Sequence, residues 1–319
     1  MRFIHTGDIH LGARPESKRE WAKNRGDEIW ATFENLIKKI KNDPVDMLII
    51  AGDMFHRQPL LREIREVDYL FSTIPDTKVV ICAGNHDAIK KGSFYKGFNW
   101  SENVIFIEDK NITKIDIPQL DVCVYGLSYY ENEISESLYD HIIVDDIDKI
   151  NILVAHGGDE KHIPINKKRL AMSGFDYVAL GHIHKPEMDE KNKMAYCGSL
   201  EPIDMNDMGP RGYIYGEVTK SSLELEFVPF AKRIYKDIEF TVTPTVTNLE
   251  IRHRLGDMMK MEGADNMFKV RFNGYRDPDF EINNNELEQV FNVVSIVDET
   301  VPDFDFRELY EDNKDNILG

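Results

Sequence analysis

Cysteine is scarce. The 319 residues hold Cys82, Cys123 and Cys197, each inside an apolar, strand-like run and none in a CxxC pair. That pattern excludes a zinc ribbon and a thioredoxin-type redox pair, and reads all three as small buried hydrophobes in a reducing compartment. Long apolar runs are also missing: nothing approaches the roughly 18 consecutive apolar residues of a membrane helix. MRFIHTGDIH turns polar by residue 5, unlike a secretory signal. The expected protein has no membrane association and is cytoplasmic. Positive charge is short too, with 39 Lys plus Arg against 57 Asp plus Glu, a net of −18. Up to residue 230 there are 28 basic and 38 acidic residues, and beyond it 11 and 19, so both parts are acidic. A protein that grips nucleic acid over a broad surface is usually basic, and any such reading has to meet that objection.

What is present is enough apolar sequence, 42%, for a sizeable core, and a length that suits one large and one small domain. The first two-thirds alternate β-branched runs with amphipathic stretches, the pattern of layered α/β structure. The runs include RFIHTGDIH, DMLIIAGD, KVVICAGNHD, DVCVYGLS, INILVAHGG and DYVALGHIH. Ile29, Trp30, Phe33, Leu36, Ile37 and Ile40 recur at three- and four-residue steps and predict a helix that Pro44 ends. Residues 62–72 predict another, with Ile64, Val67, Leu70 and Phe71 inward. RGYIYGEV and LELEFVPF read as antiparallel strands joined at Thr219 to Ser222. From Tyr235 the order is strand, helix (about 246–260), strand, helix (about 284–291) and strand, with the Asn run 283–285 capping the second helix. The closing ELYEDNKDNILG has helical character and is expected to continue in a longer natural chain.

Five of the apolar runs end alike, in Gly or a small residue followed by Asp, Asn or His: Asp8-Ile-His10, Gly52-Asp53, Gly84-Asn85-His86-Asp87, His156-Gly157-Gly158 and Gly181-His182-Ile-His184. Ligands of open α/β sheets bind beyond the carboxyl ends of strands, so five such tips point at one place. Setting His86 and Asp87 aside, the tips offer two carboxylates, four imidazoles and one amide. Oxygen and nitrogen donors without thiolate suit manganese, iron or zinc. Seven side chains crowd one ion but serve two that share a bridging carboxylate, an arrangement that clamps a phosphoryl group.

The set DxH, GD, GNHD, H and GHxH, in this order, resembles the calcineurin-like metallophosphoesterase superfamily. HTGDIHLG, GDMFHRQP, GHIHKP and YCGSLEP are similar to the SbcD-type DNA-repair exonucleases, the nuclease subunits of double-strand-break processing complexes; the motifs span residues 5–202. The resemblance implies a calcineurin-like four-layer β-sandwich flanked by helices over 1–230, and a smaller α+β DNA-capping domain over 231–319. It implies that Asp8, His10 and His184 hold one metal, that Asn85, His156 and His182 hold the other, and that Asp53 bridges them. His86 is then a catalytic group beside the phosphate, Asp87 orients it or merely caps a helix, and His56 faces the substrate backbone. The expected cofactor is a pair of divalent ions, manganese for preference. The expected activity is exonucleolytic hydrolysis of DNA, with single-strand endonuclease activity as an extension. A homodimer and an SbcC-type ABC ATPase partner follow from the same resemblance, although the C-terminal helical segment that binds such a partner is not found before Gly319. A metallophosphoesterase acting on a small nucleotide or cyclic phosphodiester, and a non-catalytic scaffold subunit, are the rival readings.

Three basic segments follow motif-bearing strands: 14–25 (Arg14, Lys18, Arg19, Lys23 and Arg25), 90–96 (Lys90, Lys91 and Lys96) and 161–169 (Lys161, Lys167, Lys168 and Arg169). They predict a positive rim around the site on an acidic body. FYKGF, residues 94–98, reads as loop packing or as a base-stacking platform. His5 is expected to be packed or hydrogen-bonded, and His141, His162 and His253 to lie on the surface.

Overall fold

The structure is a computed structural model and describes residues 1–304 together with Arg307, Tyr310 and Lys314. The helix read in ELYEDNKDNILG therefore lies, those positions apart, outside the described residues. The chain divides into two compact units: Met1–Ser17 with Lys23–Lys232, and Arg233–Gly319 with Lys18–Ala22.

In the first unit the order is β1 (Arg2–Thr6), α1 (Arg25–Asn42), β2 (Met47–Ala51), α2 (Leu61–Ser72), β3 (Lys78–Cys82), β4 (Val104–Ile107), β5 (Thr113–Ile117), β6 (Val122–Gly126), β7 (Ile150–His156), α3 (Lys167–Leu170), β8 (Tyr177–Gly181), β9 (Glu187–Asp189), β10 (Met194–Tyr196), β11 (Gly212–Val218) and β12 (Leu223–Pro229). These strands make two six-stranded sheets, β12-β11-β1-β2-β3-β4 and β5-β6-β7-β8-β10-β9. β1 to β4 run parallel, as do β6, β7 and β8, while β11 and β12 form the expected antiparallel pair.

Period-two alternation sorts the side chains into layers. Met47, Ile49 and Ala51 of β2 join Val80 and Cys82 of β3 and, from the other sheet, Val122, Val124, Ile152, Val154 and Ala179 in one core between the sheets. Leu48, Ile50, Val79 and Ile81 face the opposite way, onto Ile29, Phe33, Leu36, Ile37 and Ile40 of α1 and onto Ile64, Val67 and Phe71 of α2. The far face of the second sheet is covered by the irregular segments around Tyr129, Tyr139 and Ile163, and by Leu170 of α3. The result is a layered β-sandwich with helices outside.

Helix α1 begins four residues before its first apolar position. Its first turn carries Arg25, fully buried between Glu28 at 2.7 Å and Glu201 at 3.1 Å. Glu201, from YCGSLEP, also accepts from Thr32 Oγ1 at 2.7 Å. That segment of the motif thus anchors α1 to the chain after β10.

His5 is hydrogen-bonded as expected. It lies wholly buried, its Nδ1 2.7 Å from the Tyr177 hydroxyl. Burial holds its imidazole down to about 3, partly opposed by the Leu180 backbone. The unfolded chain takes up this proton near pH 6.5 and the folded one does not. Stability is therefore expected to fall by about 1.4 kcal/mol per pH unit from pH 6.5 toward 3 on account of this one ring. His5→Leu strands the Tyr177 hydroxyl and costs about 1–3 kcal/mol near pH 7.5, so the slope carries the test. Denaturant titrations at pH 7.5 and 5 should show the variant losing less than the wild type between the two; equal losses would refute the assignment.

The second unit runs β13 (Tyr235–Val242), α4 (Asn248–Met261), β14 (Met267–Arg276), α5 (Asn284–Val290), β15 (Val293–Asp298) and β16 (Val301–Pro302). The strands form a parallel sheet β13-β14-β15, with β16 also on β14. Thr247 caps α4 and Asn283 caps α5, each side chain accepting an N–H three residues on. Phe240, Ile251, Leu255, Phe268, Phe272 and Leu287 form its core.

Candidate metal centre

The five motif tips leave β1, β2 and β3 of one sheet and β7 and β8 of the other, so they are not a single row. They meet because the sheets stack and the tips cross-bond. Asp8 N donates to the Gly52 carbonyl at 3.1 Å, and His10 N to that of Asp53 at 3.0 Å. The Gly181 position is as tight: a Cβ there would stand 1.9 Å from the Ala51 carbonyl oxygen, so only glycine lets the end of β8 approach the end of β2. Asp8, His10, Asp53 and His182 all take positive φ, 47°, 52°, 49° and 90°. Each such non-glycine residue stores about 1–3 kcal/mol, a cost met at functional sites.

Atoms able to hold a metal ion converge here. Asp8 Oδ2 accepts from His182 N at 2.8 Å, while its buried Oδ1 has no hydrogen-bond partner and faces His184 Nε2 at 3.9 Å. Asp53 Oδ1 accepts from His86 N at 2.9 Å, and its Oδ2 faces His156 Nε2 at 3.4 Å and His10 Nε2 at 3.9 Å. His156 Nδ1 donates to the Ala51 carbonyl at 2.9 Å, and its Nε2 stands 2.9 Å from Asn85 Oδ1. His182 Nδ1 lies 3.2 Å from the same amide oxygen, and His184 Nε2 lies 3.1 Å from His10 Nε2. Asp8, His10 and His184 thus form one group of mutually close donor atoms, and Asp8, Asp53 and His156 another.

The electrostatics agree that cations are wanted. Burial pushes the Asp8 carboxyl up to about 6 against the pull of His156 and His184. Burial also works against the charge on Asp53, yet His156 and His10 hold that carboxyl well below the usual range. His156 is driven up to about 9, its own burial outweighed by Asp53. A buried carboxylate that draws a proton onto a neighbouring ring marks a place where positive charge is favoured. The residues present fit a pair of divalent ions.

Residues 1–186 match the family model of the calcineurin-like phosphoesterases. The chain belongs to that family. Calcineurin-like phosphoesterases are hydrolases of phosphoester bonds with a dinuclear metal centre. The chain is similar to the DNA double-strand break repair protein Mre11 of Methanocaldococcus jannaschii, 28% identical over 219 residues, 65% of this chain and 58% of that protein. It is similar to the protein of the same name in Methanopyrus kandleri, 25% identical over 297 residues, 83% of this chain and 65% of that one. An uncharacterized metallophosphoesterase, YhaO of Bacillus subtilis, is 26% identical over 250 residues, covering 71% of this chain and 60% of the relative. The chain thus spans less than two-thirds of the length of these relatives. A solved dimetal phosphatase from Danio rerio superimposes with a TM-score of 0.40 at 9% identity, over 70% of this chain and 98% of that one.

One side of this phosphoesterase centre is open. His86, His56, His182 and His184 are partly exposed, while Asp8, His10, Asp53, Asn85 and His156 are buried. The His86 ring stands 4.8 Å from that of His10 and stacks on His56 at 5.0 Å. His86 Nδ1 lies 3.1 Å from the His56 carbonyl oxygen, so a backbone group orients this imidazole. The orienting role expected of Asp87 is not what the geometry gives. Asp87 is fully buried and accepts from Gly84 N at 2.8 Å, Phe55 N at 3.1 Å and the Tyr95 hydroxyl at 2.8 Å. It ties the loops after β2 and β3 together. Burial, with the Asp53 charge adding, lifts its carboxyl to about 7.

Two carboxylates that the sequence did not single out complete the centre. His182 Nε2 is 2.8 Å from Asp159 Oδ2, and His184 Nδ1 is 3.1 Å from Asp207 Oδ1. His162, expected on the surface, also contacts Asp159 at 2.9 Å, and its ring lies 4.5 Å from that of His182. His141 and His253 are exposed.

The positive rim is weaker than the charge count implied. Arg25 is buried in its acidic pocket, Lys161 pairs with Glu133 at 3.6 Å, Lys167 with Glu187 at 2.6 Å and Arg169 with Asp140 at 3.6 Å. Lys90 and Lys91 are exposed. In FYKGF, Tyr95 packs on Phe106 at 4.7 Å and Phe98 on Trp100 at 4.9 Å, which leaves Phe94, 47% exposed, as the aromatic available for stacking.

Proposed function

We propose that this phosphoesterase is a DNA nuclease, an exonuclease with single-strand endonuclease activity, that works with two manganese ions in DNA repair. The observation that carries the metal part is the convergence of ligand-capable atoms of Asp8, Asp53, Asn85, His156, His182 and His184 on one place, with Asp8 Oδ1 buried and unpartnered. In this reading Asp8, His10 and His184 hold one ion, Asn85, His156 and His182 the other, and Asp53 both. When bound, the pair supplies Lewis acidity for the phosphoryl group and an acidified water. The protein's own part falls to His86, whose ring is held by the His56 carbonyl and which protonates the leaving oxygen or neutralises charge built up on the phosphate. His56, stacked on His86, faces the substrate. The DNA part is supported by the similarity to double-strand break repair proteins and by exposed Lys90, Lys91 and Phe94 on the loop after GNHD, a cationic and aromatic pairing suited to a nucleotide strand. By the same resemblance the protein is a cytoplasmic homodimer, couples to an SbcC-type ABC ATPase, and uses residues 231–319 as its DNA-capping module.

The pairing of Lys161, Lys167 and Arg169 with carboxylates favours a second reading, a phosphodiesterase for a small nucleotide, which needs no cationic track. One assay separates the two. With manganese, a labelled oligonucleotide should be degraded and a chelator should stop it. Rapid turnover of a small chromogenic phosphodiester with the oligonucleotide left intact would decide for the second reading, and no turnover of either by the ion-loaded protein would sink both.

A further inference from the structure

We propose that Asp159 and Asp207 are a matched pair of positioning residues that lock the two histidines of Gly181-His182-Ile183-His184 in opposite tautomers, one for each ion. The proposal rests on the two-ion reading and adds residues outside its ligand set. His182 and His184 are two positions apart at one strand end, yet they turn different nitrogens inward. His182 presents Nδ1 to Asn85 Oδ1 at 3.2 Å, whereas His184 presents Nε2 to His10 at 3.1 Å and to Asp8 at 3.9 Å. A neutral ring has one bare nitrogen and one N–H. To serve as ligands, His182 must carry its proton on Nε2 and His184 on Nδ1. Those are the two nitrogens within hydrogen-bond distance of carboxylates: Nε2 of His182 faces Asp159 at 2.8 Å, and Nδ1 of His184 faces Asp207 at 3.1 Å.

Each carboxylate is itself held. Asp159 Oδ1 accepts from Lys161 N at 2.8 Å and His162 N at 2.9 Å, which turns Oδ2 toward His182. Asp207 Oδ2 accepts from Ile203 N at 2.9 Å and Asp204 N at 3.1 Å, and the Arg211 guanidinium stands 3.7 Å from Oδ1. His156 and His86 rest instead on the neutral carbonyls of Ala51 and His56. Anionic acceptors behind His182 and His184 make those two rings the more basic donors, and loss of such a partner typically costs 10–100-fold in metal affinity.

The test combines nitrogen-15 NMR of the histidine rings in the metal-free protein with titration by cadmium, a diamagnetic probe. The wild type should show His182 protonated at Nε2, His184 protonated at Nδ1, and two ions bound. In Asp207→Ala, His184 should leave the Nδ1–H form. One ion should then bind about 10–100-fold more weakly, while one equivalent of cadmium still shifts His182 Nδ1. Asp159→Ala should do the reverse, sparing the ion at His184 Nε2. Asp207→Asn, whose oxygen is held by the Ile203 and Asp204 N–H groups and whose NH2 then faces His184 Nδ1, should also move His184 out of the Nδ1–H form. Unchanged tautomers in Asp207→Ala, or equal weakening of both ions in either variant, would overturn the proposal. A wild type with these tautomers that takes up no ion would sink the two-ion reading and leave the tautomer lock standing.

Discussion

Replacing His86 by alanine is expected to lower phosphodiester turnover by about 10²–10⁴-fold with both ions still bound. The two effects separate because His86 serves the site twice, through different atoms. Its backbone N–H donates to Asp53 Oδ1 at 2.9 Å, a bond that alanine keeps. Its ring touches none of the converging acceptor oxygens; it rests on the His56 carbonyl and stacks against His56. Removing the ring therefore takes away the group proposed to act on the leaving oxygen or the phosphate, without disturbing Asp53. Metal content and turnover, measured on the same preparation, check this. Two ions with unchanged turnover would remove His86 from the chemistry, and loss of the ions would make it structural. Asp87→Asn should behave in the opposite way. Two N–H groups and a hydroxyl point at this buried carboxylate, and an amide must turn its NH2 against at least one of them, so folding should weaken before chemistry does.

The contrast between His86 and Asp87 shows where sequence reading has purchase. A strand that ends in Gly-Asp or Gly-Asn-His declares its tip, because neither residue has a place in a core strand. That made Asp8, His10, Asp53, Asn85, His156, His182 and His184 visible one motif at a time. It also conveyed that the tips share a locality, though not that two stacked sheets supply them. Asp159 and Asp207 carry no such signature. Each lies 23 residues from the histidine it meets, on an irregular loop, as one carboxylate among 57 acidic residues. Their role exists only in the tertiary structure. Adjacency in sequence misled for Asp87, which next to His86 binds Gly84 N, Phe55 N and the Tyr95 hydroxyl instead. Charge runs misled for Arg25, because a basic residue at the start of an amphipathic helix reads as solvated until Glu28 and Glu201 close over it. The helices and paired strands of the second unit were legible because their apolar spacing is regular. β4 and β5 were passed over: short strands whose side chains are half exposed leave little period to detect.

The largest structural effect is expected from the smallest substitution. Gly84→Ala should abolish tight binding of both ions and destabilise the fold by about 1–3 kcal/mol. A Cβ on Gly84 would lie 2.2 Å from Asp53 Oδ1, 2.8 Å from Asp53 Cγ and 2.6 Å from the Asp53 backbone nitrogen. A rotamer change can move the carboxylate away but cannot move the nitrogen, so either the loop after β2 or that after β3 must shift. Both are pinned. Asp53 sits at φ 49° with its carbonyl bonded to His10 N, and Gly84 N is bonded to Asp87. Displacing Asp53 moves Oδ2 away from His156 and His10 together, which is why both ions should be lost at once rather than one. Gly92→Ala is the control. Its φ of 83° makes alanine strained, yet nothing lies within 4 Å of the added carbon, so it should cost stability and keep both ions. Ion titration and thermal melting of the two variants check the argument. A Gly84→Ala protein that binds both ions as the wild type does would mean the tips are looser than their backbone bonds imply.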